Sequence, residues 1–203
     1  MFKQAEWLFF DVGSTLVDES RANAHRILDA IEGTDISYEQ AYAQAVQLAK
    51  QNITAPIRRL GLPIIPWHRE DEIVYPHAVE CLSKLHKKYK IGVIANQSPG
   101  TADRMKEYGL SQYLDLIIAS AEEGIEKPDL KIFELALKRA NCLPENAVMI
   151  GDRLDNDIVP AKRMGLKTIW IRQGFGGMGH PSTEEDTPDY CVNDLWELAK
   201  LLG

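Results

Sequence analysis

Three acidic residues stand at or just beyond the ends of short apolar runs. Asp11 directly follows Trp7-Leu8-Phe9-Phe10, Asp152 directly follows Val148-Met149-Ile150-Gly151, and Asp157 lies one short turn further on. Asn96 ends a similar run, Gly92-Val93-Ile94-Ala95. In a parallel sheet such strand ends converge on one crevice, where ligands bind. Two carboxylates brought together there repel each other unless a cation sits between them. Oxygen ligands with open positions suit magnesium, which takes one or two protein carboxylates together with substrate phosphate. Asp157 is placed to orient that site from behind. Lys127, in Glu126-Lys127-Pro128-Asp129, supplies a compact positive charge for a nucleophilic carboxylate and a phosphoryl oxygen.

The elements that would position these residues are readable from periodicity. Candidate strands are Trp7 to Phe10, Ile91 to Ala95, Leu114 to Ala119, Ala147 to Ile150 and Thr168 to Ile171, with a weaker one at Tyr190 to Val192. Short, wholly apolar strands separated by amphipathic stretches predict an α/β protein whose parallel sheet is covered on both faces. Val79, Leu82, Leu85 and Tyr89 recur at helical spacing, as do Ile132, Phe133, Ala136, Leu137 and Ala140 behind Pro128 and Asp129. Ile158, Ala161 and Met164 before Gly165 predict a short helix with a glycine stop. Leu195, Leu198, Ala199 and Leu202 predict a closing helix opened by Asn193.

From Asp18 to about Trp67 the alternation breaks and no strand is predicted. Ala24, Ile27, Leu28 and Ile31 make one apolar helical face. Tyr38, Ala41, Tyr42, Ala45, Leu48 and Ala49 make another, entered by Ser37 with Gln40 three residues on, a capping-box pattern. This reads as a small α-helical cap, residues 18–72, inserted after the first strand of a core formed by residues 1–17 and 73–203. Gly61 to Pro66 is the way back.

Composition narrows the function. The chain has 203 residues with 45% hydrophobic and 26% charged, and a formal net charge of −7. These are values of a globular protein with one sizeable core. The acidic balance argues against nucleic-acid binding, which needs clustered Lys and Arg. The three cysteines are far apart and form no CxxC, so neither a disulfide framework nor a zinc site is expected. The apolar stretch near the start is too short for a signal peptide or membrane span, so a cytoplasmic protein without a membrane partner is expected. Gln173-Gly-Phe-Gly-Gly-Met-Gly-His180 follows a strand but opens no helix, and reads as a flexible loop bordering the site rather than a phosphate cradle. His77, His86 and His180 read as surface residues, and Cys81 and Cys142 as packed thiols. The oligomeric state is not legible.

Phe9-Phe10-Asp11-Val12-Gly13-Ser14-Thr15-Leu16, then Lys127-Pro128-Asp129, then Gly151-Asp152-Arg153-Leu154-Asp155-Asn156-Asp157, resembles the haloacid dehalogenase superfamily over nearly the whole chain. The resemblance implies a three-layer Rossmann-like parallel sheet with a helical cap after the first strand. It also implies a phosphatase acting on a small phosphorylated metabolite. Asp11 would attack phosphorus and form an aspartyl-phosphate. Magnesium would be held by Asp11, the Gly13 carbonyl and Asp152, with Asp157 supporting, and Lys127 would neutralise the transferring group.

Two positions depart from that family's usual pattern. Its phosphatases carry a second aspartate, a general acid and base, where this chain has Gly13. A Ser or Thr that binds the phosphoryl oxygen is replaced by Ala95. Asn96, Gln97 and Ser98, by backbone amides or the Asn96 side chain, are the candidates to take over substrate binding. Asp18, Glu19, His25, His68 and Glu70 are the candidates for the missing proton relay. Two other classes compete: a non-catalytic or weakly active binding protein that kept the fold, and a haloacid dehalogenase, which needs no magnesium and so no Asp152 ligand.

Overall fold

The structure, a computed structural model, describes residues 2–203. In chain order its elements are β1 (Trp7–Phe10), β2 (Val17–Asp18), α1 (Ser20–Ile31), α2 (Tyr38–Lys50), β3 (Ile73–Val74), α3 (Ala78–Leu85), β4 (Lys90–Ala95), α4 (Thr101–Glu107), β5 (Leu116–Ala119), α5 (Ser120–Glu123), α6 (Leu130–Ala140), β6 (Ala147–Gly151), α7 (Val159–Arg163), β7 (Lys167–Ile171), β8 (Tyr190–Val192) and α8 (Leu195–Leu202). Six strands form one parallel sheet in the order β5-β4-β1-β6-β7-β8. The order reverses at β1, whose neighbours are β4 and β6, so Asp11 leaves the sheet at its switch point.

The pleat of β1 explains why both faces are covered. Leu8 and Phe10 point into a core shared with Cys81, Leu82 and Leu85 of α3 and Leu195 and Leu198 of α8. Phe9 points the other way, toward Ile132, Phe133 and Ala136 of α6. The result is the three-layer α/β arrangement expected from the apolar strands. Gly92 of β4 is a packing requirement: a β-carbon there would run into the Phe9 ring. No helix among the described residues is long and apolar enough to cross a membrane.

Several local expectations need correction. The fifth-strand segment pairs only from Leu116, because Leu114 closes the preceding short 3-10 turn. The last helix is capped by Asp194, whose carboxylate accepts from the Glu197 amide at 2.8 Å, and not by Asn193. Val79 of α3 faces solvent, while Ala78 and Cys81 take the buried positions. Asp18, assigned to a strandless insertion, lies in a short two-stranded antiparallel ribbon: Val17 pairs with Val74 and Asp18 with Ile73.

Between that ribbon's two strands run α1, α2 and two short 3-10 turns. Ser37 and Gln40 make the full capping box that opens α2. The buried face of α1 is Ala22, Arg26, Ile27 and Ala30, not the expected Ala24, Ile27, Leu28 and Ile31; Leu28 is 52% exposed. The expected stripe was rotated because Arg26, a charged residue, holds a position the periodicity would give to an apolar one. The segment bears on the core through the turn after α2: Thr54 donates to Asp155 at 2.6 Å, and Asn52 exchanges two hydrogen bonds with the His180 backbone.

Candidate active site

Asp11, Lys127, Asp152 and Asp157 are brought together at the carboxyl end of the sheet. The Lys127 ammonium donates to Asp11 Oδ1 at 2.7 Å and to Asp157 Oδ1 at 2.6 Å. One oxygen from each of Asp11, Asp152 and Asp157 lies within 4.8 Å of the others. Asp157 sits in a single π-helical turn, Leu154–Ile158, a form of helix found at functional sites. Its second oxygen accepts from the Arg153 amide at 3.0 Å. Both oxygens are therefore committed, so Asp157 orients Lys127 and the loop. Gly151 makes room for it, because a β-carbon there would collide with the Asp157 carboxyl.

The residues fit a hard divalent cation. The Asp152 side chain is buried, and no hydrogen bond among the described residues reaches its carboxylate. Its backbone carbonyl accepts from the Trp170 indole at 2.5 Å, which fixes the residue while leaving its acid group bare. Burial, and then the charges of Asp157 and Asp11, hold that acid well above the ordinary carboxylate range. Burial likewise pushes Asp157 up to about 6, against the pull of Lys127. Burial alone would lower Lys127, but the two facing carboxylates outweigh it and leave the ammonium above its ordinary value. A bare buried acid beside the free second oxygen of Asp11 is a cation site by its chemistry.

The loop after β1 brings one of the five relay candidates to Gly13. Gly13 has no side chain, and the Glu19 carboxylate fills the space that one would occupy. Glu19 is the N-terminal flanking residue of α1, and its Oε2 accepts from the Ser14 hydroxyl at 2.9 Å. Burial pushes its carboxyl up to about 7, the Ser14 bond opposing and the Asp11 charge adding. Ser14 itself takes a positive φ of 55°, which turns its hydroxyl toward Glu19. The other relay candidates lie elsewhere. His25 and His68 stack at 3.6 Å and bond Asp71 and Asp29 at 2.8 and 2.9 Å, and His68 also bonds Glu70, tying α1 to the return segment. None of Asp18, His25, His68 and Glu70 lines the cavity above Asp152; Glu19 does.

Asn96, Gln97 and Ser98 do line that cavity. The Asn96 side chain is bound to the Lys127 backbone in both directions, at 2.7 and 2.8 Å. The Gln97 amide donates to Ser120 at 3.1 Å. Asn96 thus positions Lys127, and among the described residues the Ser98 amide and hydroxyl have no hydrogen-bond partner. Arg104, which sequence reasoning did not single out, ties this loop by donating to the Pro99 and Ser98 carbonyls and to Gln97. The glycine-rich loop after β7 is packed against the site. A β-carbon on Gly174 would strike Ser14, and one on Gly176 would strike Asp152. Gln173 donates to the Ser14 and Thr15 carbonyls, at 3.2 and 3.1 Å.

In the metal-free protein Glu19, Asp152 and Asp157 are all raised relative to the unfolded chain. Between the unfolded and folded values the native state binds more protons, so stability falls as pH rises through that window, from about 4 to 7. A divalent cation offsets the exposed charge. The expected result is that magnesium raises the melting temperature more at pH 8 than at pH 5, by about 5–10 °C at a hundredfold excess over its dissociation constant. Differential scanning fluorimetry checks this; equal shifts at both pH values would contradict it.

Comparison with known proteins accords with this geometry. Residues 6–165 match the family described as haloacid dehalogenase-like hydrolase. The chain is 31% identical to a glyceraldehyde 3-phosphate phosphatase of Pyrococcus furiosus, over 96% of this chain and 92% of that one. It is 30% identical to a phosphoserine phosphatase of Thermus thermophilus, over 62% of this chain and 49% of that one. In fold it is similar to a HAD-hydrolase of Bacillus subtilis solved with bound magnesium, with a TM-score of 0.72 and 21% identity, covering 99% of this chain and 100% of that one.

Proposed function

The chain belongs to the haloacid dehalogenase-like hydrolases, and from that premise we propose that it is a magnesium-dependent phosphatase of small phosphorylated metabolites that works through a phosphoryl group carried on Asp11. The observation that carries this reading is the buried, unpartnered Asp152 carboxylate beside an Asp11 already oriented by Lys127. Dehalogenation needs no such acid. The relatives named as phosphatases support the same reaction class.

Asp11, the Gly13 carbonyl and Asp152 would hold the metal, which when bound supplies charge neutralisation and alignment for the phosphoryl group. Lys127 holds Asp11 through Oδ1 and so orients its carboxylate to attack phosphorus in line with the ester oxygen. The ammonium faces the charge that spreads over the equatorial oxygens. Asn96 holds Lys127 in place, and the free Ser98 amide and hydroxyl receive a phosphoryl oxygen where the family's usual hydroxyl is absent at Ala95. As the phosphorus–oxygen bond breaks, the departing alkoxide takes a proton from the Glu19 carboxyl. Water then attacks phosphorus and gives its proton back to the Glu19 carboxylate. The bond to Asp11 breaks, and phosphate and the free enzyme are restored. A buried acid that titrates near neutrality serves both steps.

The test compares leaving groups. Wild-type protein with magnesium should release phosphate from both alkyl and aryl phosphates, and chelator should stop both. Glu19→Gln should cost alkyl phosphates about 10²-fold or more, which need the proton, and aryl phosphates less than about 10-fold. An equal loss on both classes would remove Glu19 from proton transfer.

A further inference from the structure

Arg26 is a largely buried cation with no ion-pair partner among the described residues. It is 9% exposed, on the inner face of α1, and its Nε has no hydrogen-bond partner. No carboxylate among the described residues forms an ion pair with it. The nearest influences are indirect: the Glu19 charge favours it, and the Arg58 charge disfavours it. A guanidinium cannot shed its proton to escape burial. A charge drawn out of water without a close counter-charge is costly, and this one lines the cavity, where a partner from outside can meet it.

The surroundings define that partner. Glu19, Asn23 and Arg26 stand at helical spacing on one face of α1 and line one cavity of about 1060 Å³, with Asp152 and Lys127 at its floor. The Arg26 guanidinium carbon lies over the Trp67 ring, 5.4 Å from its centroid, a cation–π contact that helps place the group. Arg58 lines the same wall. Two cations whose charges act on each other, in a protein of net charge −7, form a local anion field opposed to the whole.

We infer that Arg26, with Trp67 and Arg58, forms a second anion subsite that receives a carboxylate or phosphate at the far end of the substrate, so that the preferred substrates are short phosphomonoesters bearing a second negative group. This rests on the phosphatase reading for the identity of the first group. Arg26 is a specificity residue: it touches the part of the substrate that does not react. Its planar fork matches either oxyanion with two parallel hydrogen bonds.

The experiment uses three esters of one chain length: glycerol 3-phosphate with a neutral end, 3-phosphoglycerate with a carboxylate, and 1,3-propanediol bisphosphate with a second phosphate. Wild-type kcat/KM should favour an anionic ester over the neutral one by about 10–100-fold, and Arg26→Met should bring that ratio close to one. Arg26→Lys should recover part of it. Whichever anionic ester shows the larger Arg26-dependent ratio identifies the end group. A ratio unchanged by Arg26→Met, or a loss equal for all three esters, overturns the subsite. If the wild type hydrolyses none of them, the phosphatase reading has failed separately. Calorimetric binding of 3-phosphoglycerate and glycerol 3-phosphate then decides the subsite alone: a preference for the carboxylate that disappears in Arg26→Met sustains it, and no preference overturns it.

Discussion

Replacing Lys127 by alanine should lower kcat/KM by about 10³-fold or more and destabilise the metal-free protein by about 3–5 kcal/mol. The two effects have one cause. Lys127 is nearly inaccessible, with a side chain 2% exposed, and it is the cation shared by Asp11 and Asp157. Removing it leaves two carboxylates facing each other in a buried site beside the bare Asp152. It also frees Asp11 to rotate away from its attacking orientation, and it removes the charge opposite the transferring phosphoryl group. The stability loss should be greater at pH 8 than at pH 5. At low pH Asp157 and the neighbouring Asp152 can take up protons, as their raised values already favour. Magnesium should recover part of the stability but little of the rate, because it cannot replace the two short bonds that orient Asp11 and Asp157. Urea unfolding at both pH values and steady-state kinetics on one aryl phosphate check this. A variant with normal stability and near-normal rate would mean that Lys127 is only a surface anchor for Pro128.

Much of this site was legible because its residues are tied to strand ends. Asp11 and Asp152 come directly after β1 and β6, and an apolar run that stops at an acid needs no tertiary information to be noticed. The covered parallel sheet follows from the same runs, since short, wholly apolar strands must be buried on both faces. The arrangement around Gly13 was only half legible. The departure was visible, and Glu19 was one candidate among five, but nothing in spacing says that its carboxylate returns to the gap six residues earlier. That return depends on the tight turn in which the Leu16 and Val17 amides donate to the Val12 carbonyl and the Ser14 amide to the Val17 carbonyl, and on the positive φ of Ser14. Two-residue strands carry no periodicity to detect. The same geometry makes the glycine and the glutamate one change: an aspartate at position 13 would drive its β-carbon into the Glu19 carboxylate.

Arg26 was missed for a related reason. Helical periodicity assigns faces by hydrophobicity, so a buried charge rotates the predicted stripe and hides itself. The glycine-rich loop was read as mobile from composition. Its glycines are instead close-approach positions, since Gly174 and Gly176 let the loop rest on Ser14 and Asp152. Composition alone does not separate a glycine that bends from one that makes room.

The nucleophile is the central claim, and phosphate release tests it most directly. Acetyl phosphate and para-nitrophenyl phosphate should be hydrolysed with magnesium and not with chelator. Asp11→Asn should abolish both activities, by on the order of 10⁴-fold or more, while melting near the wild type, because the amide keeps the shape of the carboxylate and its oxygen can still accept from Lys127. Loss of turnover in a folded Asp11→Asn protein is the result predicted. Magnesium-dependent turnover that persists in that variant, or a wild-type protein that releases no phosphate from either compound, would contradict the account.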